Sequence, residues 1–275
     1  MTWLEVEPGV RLRVADRRPM QETREPVVLV HGWKQSHRLY DRLAVALVRR
    51  GHRVVSYDHR GMGESDKPDG RYDFETLARD LEQVLMAHDL QDSTLVGWSM
   101  GCTVALEYLR RASHGVGRVV LHNGPLRLTR AEDFPHAMPA DQFEAYLEGM
   151  EQSWPTSEHA FQAEALLPAA DPAVLELLVA VALQTPLDIA MKTVRQQAML
   201  DHRAAVRGLA VPVLAAYSDR DPYYPSSLAR WIADSAPEGH LALLTESAHC
   251  GPLEEPERLA EVVSGFAAVL TNPPS

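Results

Sequence analysis

Cysteine is scarce in this chain: Cys102 and Cys250 are the only two in 275 residues, too few for a disulfide framework. They read as buried thiols packing as small apolar groups, and their positions would allow the two to approach in the fold. No Cys/His cluster has zinc spacing and no Gly-rich phosphate loop is present, so neither a metal nor a cofactor is expected. Positive charge is short as well. Lys and Arg number 27 against 38 Asp and Glu, a formal net charge of -11. That balance argues against a nucleic-acid partner, which wants a basic face, and offers no attraction to anionic lipid. No apolar run approaches the roughly 18 residues of a bilayer span. The opening Met1–Gly9 lacks the basic-then-apolar pattern of a signal peptide. A cytoplasmic protein with no membrane partner is the expectation, and a homo-oligomer stays open.

What is present suits a soluble enzyme-sized domain. Apolar content is 45%, and the length suffices for one large α/β domain with an insertion. A hairpin is expected around Pro8-Gly9, in the stretch through Arg13. Short strands are expected at Val27–Val30, Val54–Tyr57, from Leu95, and at Val119–Leu121, Val211–Tyr217 and Leu241–Leu244. Between them, Arg38–Arg50, Phe74–Asp89 and Thr103–Arg111 have helical spacing, and Glu257–Leu270 supplies a last helix before a frayed tail, Thr271–Ser275. Such alternation implies a mostly parallel sheet covered on both faces. It stops between residues 124 and 207, where helices are broken by Pro135, Pro139, Pro155, Pro168, Pro172 and Pro186.

Three polar segments carry chemistry. Gly97-Trp98-Ser99-Met100-Gly101 fits Gly-x-Ser-x-Gly between a strand and a helix, the setting of a nucleophile elbow. A serine hydroxyl needs a histidine to take its proton and an acid to hold that histidine's tautomer. Ser218–Pro225, a turn after a strand, holds Asp219 and Asp221; Thr245–Gly251, after the next strand, holds His249. The order serine, acid, histidine and the placement after strands both match what the chemistry requires on an open α/β sheet.

These segments resemble the α/β-hydrolase superfamily over nearly the whole chain. His31-Gly32-Trp33 is similar to its oxyanion loop, and Asp58-His59-Arg60-Gly61-Met62-Gly63-Glu64-Ser65 to its Asp-x-Arg-Gly-x-Gly-x-Ser loop. Asp221, four residues before Pro225, matches the family's acid, and His249 precedes Leu253-Glu254-Glu255-Pro256 as its histidine does. The resemblance implies an α/β-hydrolase core over 1–123 and 208–275 and a helical cap over 124–207. It implies a triad of Ser99, Asp221 and His249, with Asp219 aimed elsewhere, and an oxyanion hole from the backbone N–H groups of Trp33 and Met100. His31 is expected to buttress the loop, Arg60 to tie it and Asp58 to anchor it, while Asn123 bonds backbone. Trp33, Trp98 and Met100 are expected at the deep end of the pocket. Cap candidates are Phe134, Met138, Phe143, Tyr146, Met150, Trp154 and Phe161, of which two or three should touch a small-molecule substrate.

Serine at the elbow, rather than aspartate, points to a carboxylic-ester hydrolase. The chain is similar to small bacterial esterases of the cofactor-free haloperoxidase group, in which the same triad can make peracids. Other readings remain. Gly32–Tyr40 resembles the corresponding loop of hydroxyquinolone-cleaving, cofactor-independent dioxygenases, where histidine is the base; a carbon–carbon bond hydrolase or a non-catalytic ligand receptor would use the same pocket.

Overall fold

Strand-forming runs too short and too apolar for helices set the architecture. The structure is a computed structural model describing residues 1–112 and 114–271; of the tail expected over 271–275, residues 272–275 lie outside the described residues. Thr2–Glu7 (β1) and Val10–Arg17 (β2) form an antiparallel hairpin whose turn needs Gly9, at φ 78°. Val27–Val30 (β3) leads through a 3₁₀ turn at His37–Tyr40 into Asp41–Arg49 (α1), followed by Val54–Tyr57 (β4) and Phe74–Ala87 (α2). The Asp73 carboxylate caps α2 by accepting from the Thr76 N–H at 2.8 Å. Ser93–Trp98 (β5), Met100–Arg111 (α3) and Val116–His122 (β6) come next.

Between β6 and the next strand lie Ala140–Gln152 (α4), Thr156–Glu164 (α5), Pro172–Ala182 (α6), Leu187–Ala198 (α7) and Arg203–Arg207 (α8). The prolines punctuate this insertion from its helix starts. Pro139, Pro155 and Pro186 each stand immediately before a helix and Pro172 opens one, where the missing N–H costs nothing. The chain then returns as Val213–Ser218 (β7), Ser226–Ser235 (α9), Gly239–Leu244 (β8), Gly251–Glu254 (α10) and Pro256–Thr271 (α11).

This is an α/β-hydrolase fold. Among the described residues one eight-stranded sheet has the order β1-β2-β4-β3-β5-β6-β7-β8, parallel from β4 to β8, with β2 antiparallel to β4. Side-chain alternation divides the core into two. Val28, Val30, Tyr57, Leu95, Leu121 and Tyr217 pack against α2, α3 and α9. Val27, Leu29, Val96, Trp98, Val120 and Ala216 pack against α1 and α11 on the other face. The two cysteines fall on opposite sides of that divide, Cys102 in the first cluster and Cys250 in the second, so the sheet separates them and both are free, buried thiols. Among the described residues no single helix is long and apolar enough to cross a membrane.

Candidate active site

Ser99 sits between β5 and α3 with φ 55° and ψ −121°, a conformation that crowds any residue with a side chain. Its neighbours make room. A Cβ on Gly97 would lie 2.6 Å from the Gly101 carbonyl oxygen, and one on Gly101 would lie 2.0 Å from that of Val30. Both positions therefore demand glycine. The Ser99 N–H donates to the His122 carbonyl at 3.0 Å, pinning the turn to the neighbouring strand β6. The strained turn lifts the hydroxyl off the end of the sheet and leaves it in front of the α3 N-terminus.

The acid and the base arrive from the ends of β7 and β8. His249 Nδ1–H donates to Asp221 Oδ2 at 2.9 Å, and the Asp221 side chain is sealed from solvent. The other carboxylate oxygen accepts from the backbone N–H groups of Tyr223 (2.8 Å) and Tyr224 (3.2 Å). Asp221 is thereby fixed as an acceptor with one oxygen left for the histidine. Asp219 is exposed and contributes only backbone bonding here, its N–H donating to Leu244. His249 is buried, with its carbonyl receiving the Trp98 indole N–H at 2.9 Å and the Asn123 Nδ2–H at 3.1 Å.

Ser99 and His249 meet on the wall of one cavity of about 450 Å³. Met138, Phe143, Tyr146 and Phe161 from the insertion line it, together with Trp33. Five expected contacts lie elsewhere. Trp98 shares the Val96 face of β5, so its ring packs beneath the sheet's end against Tyr40 and never reaches the cavity. The Met100 side chain points down into the α2/α3 core. Phe134 is fully buried beside Trp231 and His136, because the segment before α4 still packs on the sheet-side core. Trp154 stands behind Lys34, whose Nζ is 5.8 Å from its ring, outside the cavity wall. Met150 belongs to the interior of the insertion with Leu147 and Val194.

Comparison with known proteins settles the lineage. The family model described as "alpha/beta hydrolase fold" matches residues 25–256. The chain belongs to that family. Among curated relatives of this α/β hydrolase, non-heme chloroperoxidase CPO-A1 of Kitasatospora aureofaciens is 28% identical, covering 82% of this chain and 84% of that protein. AB hydrolase superfamily protein YisY of Bacillus subtilis (strain 168) is 23% identical over 88% of this chain and 91% of its own length. The fold is shared with an esterase from Exiguobacterium antarcticum, TM-score 0.90 at 24% identity, covering 97% and 99% of the two chains. A bromoperoxidase from Bacillus anthracis superposes with a TM-score of 0.89 at 23% identity, covering 98% and 99%.

The loops of this α/β hydrolase are held by a buried polar frame. His31 Nδ1–H donates to the Gly32 carbonyl (2.8 Å), and its Nε2 accepts from the His59 N–H (3.0 Å), the pattern of a neutral ring. Burial pushes its pKa down to about 4, consistent with that tautomer. Asp58 takes the His37 backbone N–H at 2.6 Å, the His37 ring at 2.7 Å and the Glu64 N–H at 2.7 Å. Burial opposes the Asp58 charge, but the His37 bonds outweigh it and hold the carboxyl below its ordinary range. Arg60 grips Asp80 with two bonds, 2.6 and 2.7 Å. Asn123 Nδ2 reaches Ser218 Oγ and the carbonyls of Ala248 and His249, while its Oδ1 takes the Ser218 N–H, so it binds the loops after β7 and β8 to each other. Glu254, of the Leu253–Pro256 segment, accepts from Ala248 N–H and Leu167 N–H, and burial raises its pKa.

Two sets of functional residues escape a reading of the sequence. Tyr223 and Tyr224 line the cavity beside His249 because Asp221 folds its own turn around its carboxylate. The signal, an Asp two and three residues ahead of them in a Pro-rich turn, was legible as local turn chemistry. Lys34 Nζ pairs with Glu158 Oε2 at 2.6 Å, both side chains wholly buried, and joins the loop after β3 to α5 across 124 positions of sequence. No local pattern encodes that pair.

Proposed function

We propose that this α/β hydrolase is a serine hydrolase cleaving a small, mainly apolar carboxylic ester through an acyl-enzyme on Ser99. The observation that carries the reading is the convergence of a strained serine and an Asp221-held His249 on one cavity. Ser99 Oγ attacks the carbonyl carbon while His249 Nε2 takes its proton, and Asp221 steadies the resulting imidazolium. The tetrahedral oxyanion is held by the backbone N–H groups of Trp33 and Met100. In support, a Cβ on Gly32 would stand 3.0 Å from Ser99 Cβ, so the Trp33 loop abuts the nucleophile, and Met100 opens α3. The tetrahedral species collapses with the alcohol leaving on the proton from His249; water then repeats the cycle and releases the acid.

Under this reading the helical insertion, 124–207, serves as a cap over the core of 1–123 and 208–275, and shapes a pocket for one small molecule. The haloperoxidase names among the relatives favour a side reaction at the same site. Hydrogen peroxide replaces water on the acyl-enzyme, giving a peracid and free Ser99, and the peracid oxidises halide in solution. The test is turnover of p-nitrophenyl acetate, butyrate and octanoate, with a serine-reactive phosphonate read by intact mass. One label and turnover in wild type, both lost in Ser99→Ala, is the expected result; label and turnover surviving in that variant would overturn it. Neither in wild type would favour the histidine-base oxygenase.

A further inference from the structure

Beside the nucleophile lies an amide that the hydrolytic cycle does not use. Lys34 turns the loop through a left-handed φ of 58°, and Gln35 follows it back toward Gly32. The Gln35 N–H donates to the Gly32 carbonyl at 3.3 Å, and the Gly32 N–H donates to Gln35 Oε1 at 3.2 Å. That second bond assigns the side chain, since only the amide oxygen can accept from an N–H. Nε2 and its two hydrogens must therefore point the other way. Gln35 is 6% exposed and lines the cavity. A Cβ on Gly32 would meet Gln35 Oε1 at 2.8 Å and Ser99 Cβ at 3.0 Å, so the amide and the nucleophile face each other across one backbone position.

Among the described residues no acceptor takes a hydrogen bond from Gln35 Nε2. The other well-buried glutamines of the wall are committed: Gln162 Nε2 donates to Glu158 Oε1 and Gln197 Nε2 to Thr103 Oγ1, each at 2.7 Å. The Nε2 hydrogens are open to the cavity rather than sealed in the core, so a ligand that presents an acceptor there keeps a hydrogen bond that one presenting a methylene forfeits. We infer that Gln35 Nε2 binds an oxygen on the carbon next to the scissile carbonyl, making esters of 2-oxygenated acids (2-alkoxy, 2-hydroxy or 2-oxo) the preferred substrate class. The inference rests on the serine-hydrolase reading above. The acyl half is the one addressed, because the leaving alcohol must depart toward His249 for its proton, whereas Gln35 stands on the oxyanion-loop side.

The test compares p-nitrophenyl methoxyacetate with p-nitrophenyl butyrate, a pair differing by one oxygen in place of a methylene. Each kcat/KM is divided by the rate constant for hydroxide attack on the same ester, to remove intrinsic reactivity. Wild type should favour methoxyacetate about fivefold to tenfold, the reach of one neutral hydrogen bond. Q35M removes the amide. Q35E keeps an oxygen for the Gly32 N–H but has no donor, and its negative charge repels the ether oxygen of methoxyacetate without a counterpart in butyrate. Q35M should bring the corrected ratio to about one, and Q35E to about one or below. An unchanged ratio in both, or no preference in wild type, overturns the assignment; so does an equal loss on the two esters with the ratio retained, which would make Gln35 an oxyanion or scaffold donor instead. If wild type neither turns over either ester nor takes a phosphonate on Ser99, the serine reading fails, and the inference with it.

Discussion

Glu158→Ala should unfold the protein far more easily than an average substitution, because it strands a charge. Lys34 and Glu158 have wholly buried side chains and lie 2.6 Å apart. At an effective dielectric constant of about 20, that separation corresponds to about 6 kcal/mol of attraction. The ammonium left behind keeps the ring faces of Trp33 at 4.0 Å and Phe161 at 4.6 Å, which repay part of the loss. The net cost is about 3–5 kcal/mol, or a fall in Tm of about 10 °C for a chain of this size. The paired replacement K34M/E158L removes both charges and fills the space with apolar atoms, so it should return to within about 2 kcal/mol of wild type. The pH dependence has a definite sign. Burial already lowers the Lys34 pKa from 10.5, with Glu158 acting in the opposite sense. Without Glu158 the folded state holds that proton more weakly still than the unfolded chain does, so the deficit is greatest at low pH and shrinks as pH rises toward 10.5. Urea unfolding at pH 7 and pH 9.5 measures all of this. An E158A variant within about 1 kcal/mol of wild type, or a double variant no better than the single, would refute the argument.

The remaining predictions concern the site. Ser99→Ala should lower ester turnover at least about a thousandfold with the fold intact, and Ser99→Gly should be equally inactive yet about 1 kcal/mol more stable than Ser99→Ala, since glycine tolerates φ 55°; equal melting temperatures would count against strain at the elbow. Asp221→Asn should cost about 10⁴-fold in kcat and Asp219→Asn little, and the reverse order in a kinetic comparison would place the acid wrongly. His31 and His122 are buried with pKa values pushed down from 6.5 to about 4. Below pH 6.5 the unfolded chain protonates these rings and the folded one does not, so stability falls toward pH 4 by about 1.4 kcal/mol per histidine per pH unit. His122→Asn, whose amide can still donate to Ala216, should reduce that slope by about one proton; an unchanged slope in unfolding titrations between pH 7 and 4.5 would show that His122 is not held neutral.

Local chemistry was readable wherever it was written in neighbouring residues. Strand runs, the prolines at helix starts, the elbow glycines and the order of Ser99, Asp221 and His249 all belong to short segments, and their spatial meaning follows from strand ends sharing one edge. The pocket wall was harder. Trp98 looked like a lining residue because it adjoins the nucleophile, yet period-two alternation puts it on the Val96 face, opposite to Leu95. Phe134 and Trp154 read as lining residues because they are aromatics in the insertion, but an aromatic side chain is as well suited to filling a core as to facing a ligand. The Lys34–Glu158 pair depends on how α5 docks over the loop after β3, which is tertiary packing and leaves no trace in either segment alone.

The histidine's own backbone ties it to the insertion: the His249 N–H donates to the Ala165 carbonyl at the end of α5, at 3.0 Å. With the Leu167 N–H on Glu254 and Lys34 on Glu158, the α5 side is riveted at three points to the loops that carry the chemistry. Lifting that side to admit an ester would break all three and drag the base away from its acid. At the opposite rim Arg130, Pro135 and Met138 are exposed at the cavity edge, on a segment rooted in the core by Phe134. Passage to Ser99 therefore need not lift α5, since the cavity is already open at its far edge, and substitutions that narrow the Met138 rim should slow entry and exit without disturbing the catalytic machinery behind it.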